Sequence, residues 1–427
     1  MKRISGSEAT RKRIGELMNE GFEASELMRT GMRLMIEQAL ESEVEEALGR
    51  GRYERSQGAA PGYRNGVRTG HLKTAEGTVD FSAPQVSGLV RPFVSRVKEA
   101  LPGRSEELER LAVEMYARGL SMRDIEKAFT DESGRCALSK SAASEVTMRL
   151  WADYQAFAAR DLSGSDIVYL FIDGVAERLH LGQKREPVLA AWGIASSGEK
   201  LLLGLYSASK EDSDSAREAL RDLKARGMAD PILVASDGAP GLIRGIEEVF
   251  PHSLRQRCLV HKIRNLANKV PEERWREVKA QALAAWQAIS PMAARNGAEE
   301  FRRLYENEFP GAVACFMDDF EACIAHLRLP IAHRKTARTA NLLERLFGEE
   351  RRRTKVIPHA FGEKPVLKLM FAAMMRASKS WRRIVISEFE IKQLAELRQQ
   401  LNAEFEKRSS PQNQPASLRS FSSKSRT

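Results

Sequence analysis

"DIVYLFIDG", residues 166–174, is the stretch on which the reading of the chain turns. Ile167 to Ile172 are apolar and strand-forming, the signature of a short strand buried in a core. One carboxylate, Asp173, ends the run. An anion at the end of a core strand is costly unless a hydrogen bond, a cation or a metal ion compensates it. "ILVASDG", residues 232–238, repeats the arrangement, with strand formers, then Asp237, then Gly238. Taken alone, each aspartate reads first as a turn residue, because Asp-Gly is a common turn signal. As a pair in matching contexts they read differently. On neighbouring strands the two carboxylates converge, and a divalent cation with oxygen ligands resolves their repulsion.

The surroundings supply the sheet. "EPVLAAWGIAS" (186–196) and "EKLLLGLYSA" (199–208) are two further strand-like runs, followed by a helical "KEDSDSAREALRDLKARG" (210–227). After the Asp237 strand comes "GLIRGIEEVFP" (241–251), a helix closed by Pro251. Three strands, a helix, a strand and a helix predict an α/β sheet whose front half is antiparallel. Residues 262 to about 330 carry helical patterns only, with Trp275, Trp286 and Phe316 as core anchors, and read as an all-helical insertion. The sheet domain resumes around "RTANLLERLFGEERRRTKV" (338–356). There Asn341 can cap a helix that places Glu344 in its first turn among leucines. Arg351 lies on the same helical face, and Arg352, Arg353 and Lys355 extend the positive charge as a phosphate-contacting segment would. Glu344 reads equally as an ordinary first-turn glutamate favouring the helix dipole.

Upstream, residues 7 to 50 have helical spacing up to Gly49, a helix stop. Residues 50–70 are basic and glycine-rich and read as a loop or arm. Residues 71–84 alternate on either side of Glu76-Gly77 and read as a small hairpin. From 105 to 150 the outline is a helix ending near Gly119, a second capped by Ser121, and a third capped by Ser139 or Ser141. That is the outline of a helix-turn-helix, and equally of any small three-helix unit. The tail from Lys407 has five basic and no acidic residues and much Ser, Gln and Pro, and is expected to be disordered.

Composition narrows the class. Of 427 residues 42% are hydrophobic and 30% charged, ordinary values for a soluble protein. No apolar run is long enough to span a membrane and the first residues lack the apolar core of a secretory signal, so a cytoplasmic location is expected. Four scattered cysteines make no disulfide framework. Lys and Arg outnumber Asp and Glu by 68 to 58, a net charge of +10 that favours a polyanionic partner.

Several long words, in order, resemble the mutator-type DDE transposases of bacterial insertion sequences: "GYRNGVRTGHLKTAEGTV", "LYSASKEDSDSAREALRDLKARG", "ILVASDGAPGLIRGIEEVFP", "RQRCLVHKIRNL" and "ERLFGEERRRTKV". The likeness runs from about residue 10 to about residue 385. Gln85, Ala340, Phe347 and Gly348 depart from the residues the family favours. The resemblance implies an α/β, RNase H-like catalytic domain with an all-helical insertion, preceded by a helical DNA-binding region with the helix-turn-helix. The domains expected on that basis are an N-terminal helical region (1–58), a basic arm and hairpin (59–100) and a helix-turn-helix domain (101–160). The catalytic domain follows in two parts (161–262 and 335–400) around the insertion (263–334), and a basic tail (401–427) ends the chain. Asp173, Asp237 and Glu344 would be the catalytic residues and the ligands of Mg²⁺, with Mn²⁺ as a substitute.

Cys258 and His261 match a Cys-x-x-His signature of this family. His261 would approach the DNA backbone or the active site from a helix end. Arg255, Arg257, Lys262 and Arg264 around it, with Arg351, Arg352 and Arg353, would contact phosphates. Cys323 and His326 make a second Cys-x-x-His, so the four could be read as a zinc site. The 61 residues between the two motifs exceed common finger spacings, which disfavours that reading. The partners implied are double-stranded DNA, both transposon ends and target, and further copies of the chain in a homodimer or larger assembly in the nucleoid. Two readings compete: a non-catalytic, transposase-derived DNA-binding regulator, and a metal-dependent nuclease without strand transfer.

Overall fold

The computed structural model describes residues 5–20, 23–54, 62–101, 103–131, 133–177, 179, 185–207, 213–340 and 362–409. They fall into two compact units, residues 1–150 and 151–427. One helix, Lys140–Ala159, crosses the division. No described helix is long and apolar enough to cross a membrane.

The first unit pairs helices Gly6–Glu20 and Ala24–Leu48 with a β-ribbon, β1 (Tyr63–Thr74) and β2 (Gly77–Ser87). Leu40 of the second helix packs with Leu72, Val79, Phe81 and Ala83 of the ribbon. The ribbon is longer than the hairpin expected over 71–84, because Tyr63 to Gly70 also pair. Asn65 and Gly66, which read as loop residues, form a bulge within the strand instead. Next come helices Glu106–Ala117 and Met122–Ala128. Ser121 closes a capping box with Asp124 at the start of the latter. Ser139 then caps Lys140–Ala159, accepting the Ala142 N–H at 3.3 Å.

The second unit is built on a five-stranded sheet of β3 (Ile167–Glu177), β4 (Glu186–Ala195), β5 (Lys200–Ser207), β6 (Leu233–Ser236) and β7 (Leu254–Arg257). The spatial order is β5-β4-β3-β6-β7. β3, β4 and β5 run antiparallel in succession, whereas β6 and β7 run parallel to β3. β3 is central and covered on both faces, which explains its unbroken apolar run. Leu170 and Ile172 face helices Ser213–Ala225 and Pro240–Val249 through Leu220, Leu223, Leu242 and Ile246. Tyr169 and Phe171 face helices Glu363–Ser378 and Glu388–Ser409 through Leu367, Met370, Leu394 and Leu397. Phe171 stacks on Trp192 at 4.1 Å, and the buried Tyr169 hydroxyl meets His333 Nδ1 at 2.6 Å. The last helix continues to Ser409, past residue 401 where a tail was expected. Leu394, Leu397 and Leu401 bury one face of it, and Glu404 pairs with Arg328 at 2.7 Å.

Between β7 and the last two helices stands an all-helical body with its own core. Trp286, Phe301 and Phe316 stack at its centre, while Trp275 is only partly buried. Gln256 of β7, fully buried, joins this body to the sheet. Its amide nitrogen donates to the Cys323 carbonyl at 3.1 Å, and its amide oxygen accepts the His326 main-chain N–H at 2.7 Å. His326 Nδ1 also lies 3.1 Å from that oxygen, and the ring is 1% exposed.

Burial, with Arg338 and Arg334 nearby, holds the His326 imidazole well below its ordinary value, at about 4. The unfolded chain therefore takes up this proton first. The contribution of the neutral ring is whole above about pH 6.5 and is lost as pH falls from there towards 4. Urea unfolding is expected to show a loss of about 2 kcal/mol between pH 7 and pH 5 from this group. His326→Asn, which keeps the Nδ1-side donor but does not titrate, should flatten that dependence. Identical slopes in both proteins would contradict the assignment.

Candidate active site

The register of two parallel strands builds the site. β3 and β6 pair as Tyr169 with Leu233, Leu170 with Val234 and Phe171 with Ala235. Two residues beyond the last of these pairs stand Asp173, which lies within β3 and not at the strand end expected from the sequence, and Asp237, the first residue past β6. The register thus brings the two carboxylate-bearing positions near one level. Neighbouring strands are about 4.8 Å apart. By strand alternation Asp173 continues the Tyr169–Phe171 row, and it is 3% exposed. Its Oδ1 accepts the Gly174 N–H at 2.9 Å.

Asp237 lies just past the end of β6, where its Oδ1 accepts the Ala239 N–H at 2.9 Å. This short turn leads into the helix opened by Pro240. Gly238 between them has φ +87°, and a Cβ there would come 2.3 Å from Arg257 Nε. Glycine is thus required twice, for the backbone angle and for the guanidinium lying against it.

Cys258, fully buried, ends β7 and caps the helix Leu259–Ala267. Its N–H donates to the Ser236 carbonyl at 2.7 Å, one residue before Asp237. Its sulfur accepts the Ala340 N–H at 3.4 Å, and the Val260 and His261 N–H groups at the helix start act on it without closing a cap hydrogen bond. Leu259 N–H donates to the Arg338 carbonyl at 3.0 Å. Burial pushes the Cys258 thiol up against the pull of those three N–H groups, and the charge of Asp173 adds to the rise. A neutral thiol therefore sits beside the aspartates. His261 lies in the first turn of the same helix, half-buried.

The basic residues divide. Arg255 makes a two-point pair with Asp319, its Nη2 at 2.7 Å from Oδ1. Arg257 Nη1 meets Asp318 at 2.8 Å, and Lys262, 1% exposed, reaches the Asp318 carbonyl and carboxylate. Burial raises the Asp318 carboxyl, but Lys262 and Arg257 outweigh it and hold the group below its ordinary range. Asp319 adopts a left-handed backbone at φ +57° to present its carboxylate. Three cations expected at phosphates are therefore turned towards an acidic turn of the insertion. Arg264 is exposed on the helix surface. Glu344, Arg351, Arg352 and Arg353 lie outside the described residues.

Cys258, His261, Cys323 and His326 do not assemble into a zinc site. Among the described residues no group of three or more His, Cys, Asp or Glu could hold a metal ion. The physical reason is that Gln256 engages the main chain of Cys323 and His326 at the sheet–insertion junction, while Cys258 serves as a main-chain acceptor. β7 itself was missed in the sequence, where no element is read between Pro251 and residue 262 and "RQR" only opens a basic word. The buried Gln256 between two arginines is the period-2 signal that marks it.

The family described as "Transposase, Mutator family" matches residues 7–384. Among similar proteins is a transposase for insertion sequence element IS6120 of Mycolicibacterium smegmatis. It is 31% identical over 271 residues, covering 63% of this chain and 84% of that protein. A transposase for insertion sequence element ISRM5 of Rhizobium meliloti is 29% identical over 357 residues, 83% and 88% of the two chains. A transposase for insertion sequence element IS256 in transposon Tn4001 of Staphylococcus aureus is 26% identical, covering 81% and 89%.

Gly238→Ala is expected to destabilise the second unit by about 1–3 kcal/mol through its positive φ, with the clash against Arg257 adding to the loss. Urea unfolding of the variant checks this. A change near zero would show that neither constraint operates.

Proposed function

The chain belongs to the Mutator family of transposases, and from that membership we propose that it cuts the ends of its own insertion sequence and joins them to target DNA. The observation that carries the proposal is the shared level of Asp173 and Asp237 on adjacent parallel strands. Three antiparallel strands followed by two parallel ones, in the order β5-β4-β3-β6-β7, support an RNase H-like catalytic domain. Glu344 is proposed as the third carboxylate, on the segment that follows Ala340.

The donor set fits a hard divalent cation. Two aspartates, Asp173 within β3 and 3% exposed and Asp237 just past β6, supply carboxylate oxygens and negative charge. Asp173, Asp237 and Glu344 would hold Mg²⁺ or Mn²⁺. Such an ion, when bound, supplies Lewis-acid stabilisation of the reacting phosphate and makes water a better nucleophile. The chain contributes the rest. The buried β3 and the turn after β6 hold the carboxylates, and the Gly174 and Ala239 N–H groups orient one oxygen of each aspartate. Water attacks the phosphorus and the 3′-oxygen leaves as a hydroxyl. That hydroxyl then attacks a target phosphodiester and releases a target 3′-hydroxyl in turn. No covalent enzyme intermediate is required.

DNA recognition is proposed for the first unit. Helices Glu106–Ala117, Met122–Ala128 and the start of Lys140–Ala159 form the helix-turn-helix candidate, beside a basic ribbon carrying Arg64, Arg68, His71 and Lys73. Arg264, Arg351, Arg352 and Arg353 are proposed phosphate contacts, with His261 near the cleaved strand. The net charge of +10 favours the polyanion. Because two ends must be brought together, a homodimer or larger assembly is proposed.

The test uses a duplex bearing the terminal inverted repeat that flanks the gene. Asp173→Ala and Asp237→Ala should each lower Mg²⁺-dependent cleavage roughly a thousandfold or more while DNA binding is retained. A precut end with a free 3′-hydroxyl should be joined to a plasmid by the wild type. DNA binding without any divalent-dependent cleavage would establish the regulator reading instead, and cleavage without joining would establish a nuclease.

A further inference from the structure

Cys258 takes no part in the chemistry just proposed, yet it contacts the chain segments on which that chemistry depends. Its N–H holds Ser236, the residue before Asp237, at 2.7 Å. Its sulfur holds Ala340, four residues before Glu344, at 3.4 Å. The neighbouring Leu259 N–H ties Arg338 to the same point at 3.0 Å. Asp173 is close enough for its charge to act on the thiol.

The choice of residue is physically specific. Helix N-caps favour Ser, Thr, Asp and Asn, whose oxygens accept main-chain N–H groups. A carboxylate here would add a further anion beside Asp173 and Asp237, which repel each other already. A hydroxyl would accept at shorter range, because oxygen hydrogen bonds close at about 2.9–3.0 Å. The thiol is neutral and reaches further, as its 3.4 Å contact to Ala340 shows.

We propose that Cys258 is a positioning residue for the catalytic centre, setting the separation between the strand end that carries Asp237 and the chain that leaves Ala340 for Glu344. The inference rests on the assignment of Asp173, Asp237 and Glu344 made above. Cys258 touches neither DNA nor metal in this account. It acts through the main chain of Ser236 and Ala340.

The experiment compares full-length wild type, Cys258→Ala, Cys258→Ser and Ala340→Pro, with thermal melts to establish folding. Cys258→Ala removes the acceptor, Cys258→Ser restores one, and Ala340→Pro deletes the donated N–H from the other side. Two quantities are read: kcat and KM for cleavage of the inverted-repeat duplex, and Mn²⁺ affinity of the DNA-free protein by electron paramagnetic resonance. Cys258→Ala is expected to lower kcat and weaken Mn²⁺ binding, each roughly 10- to 100-fold, with KM for DNA unchanged. Cys258→Ser, an acceptor of shorter reach, should recover only part of both, and Ala340→Pro should reproduce the kcat defect. Wild-type kcat and Mn²⁺ affinity in Cys258→Ala overturn the proposal. If that variant does not fold, a wild-type kcat in Ala340→Pro overturns it equally. Cleavage by the wild type that Asp173→Ala abolishes, with Cys258→Ala unaffected, sinks this inference alone. A wild type without divalent-dependent cleavage removes the assignment beneath it as well.

Discussion

The parallel pairing of β3 with β6 is the constraint on which the second unit depends. Three consecutive residue pairs set the register, and that register brings Asp173, within β3, near the level of Asp237, just past the end of β6. A slip of one residue would turn one aspartate to the opposite face, because side chains alternate along a strand. The apolar row beneath prevents the slip. Tyr169 and Phe171 are locked between Trp192 and the helices of one face, and Leu170 and Ile172 pack on the other. The hydrophobic core thus does more than stabilise the sheet: it holds the buried Asp173 on the strand next to the one that leads into Asp237.

The remainder of the sheet domain is organised around the next strand. β7 is four residues long, and each of the last three joins the sheet to the helical insertion. Arg255 and Arg257 reach Asp319 and Asp318, and Gln256 binds the main chain at Cys323 and His326. Arg257 also lies against Gly238, so the turn after Asp237 rests on a guanidinium that the insertion neutralises. Its Nε is buried without a hydrogen-bond partner among the described residues. Insertion, strand end and aspartate are therefore coupled through one side chain.

Much of this could be read before the structure. The strands that lead to the aspartates were legible because they are apolar and buried on both faces, although β3 runs on past Asp173-Gly174 to Glu177 where a strand end was expected. The Ser121 cap was legible because its chemistry is local. β7 was hidden by charge: arginines in a strand look like surface until their partners, Asp318 and Asp319, are seen some sixty residues away. Lys262 misled for the same reason, since a lysine in a basic word reads as solvent-facing although its side chain is buried and its ammonium reaches the distant Asp318. The ribbon was underestimated because Asn65 and Gly66 signal a loop, whereas a bulge accommodates them within a strand. The final helix outran its expected end because its leucine face, a tertiary feature, outweighs the polar composition of the region.

The central claim is that Asp173 and Asp237 share one divalent cation. A crystal structure of the full chain grown with Mn²⁺, with anomalous scattering measured at the manganese edge, tests it most directly. The account predicts an anomalous peak ligated by one oxygen from each aspartate at about 2.0–2.2 Å, the range of oxygen ligands around small divalent ions. Manganese bound elsewhere, with the two carboxylates turned apart, would contradict it.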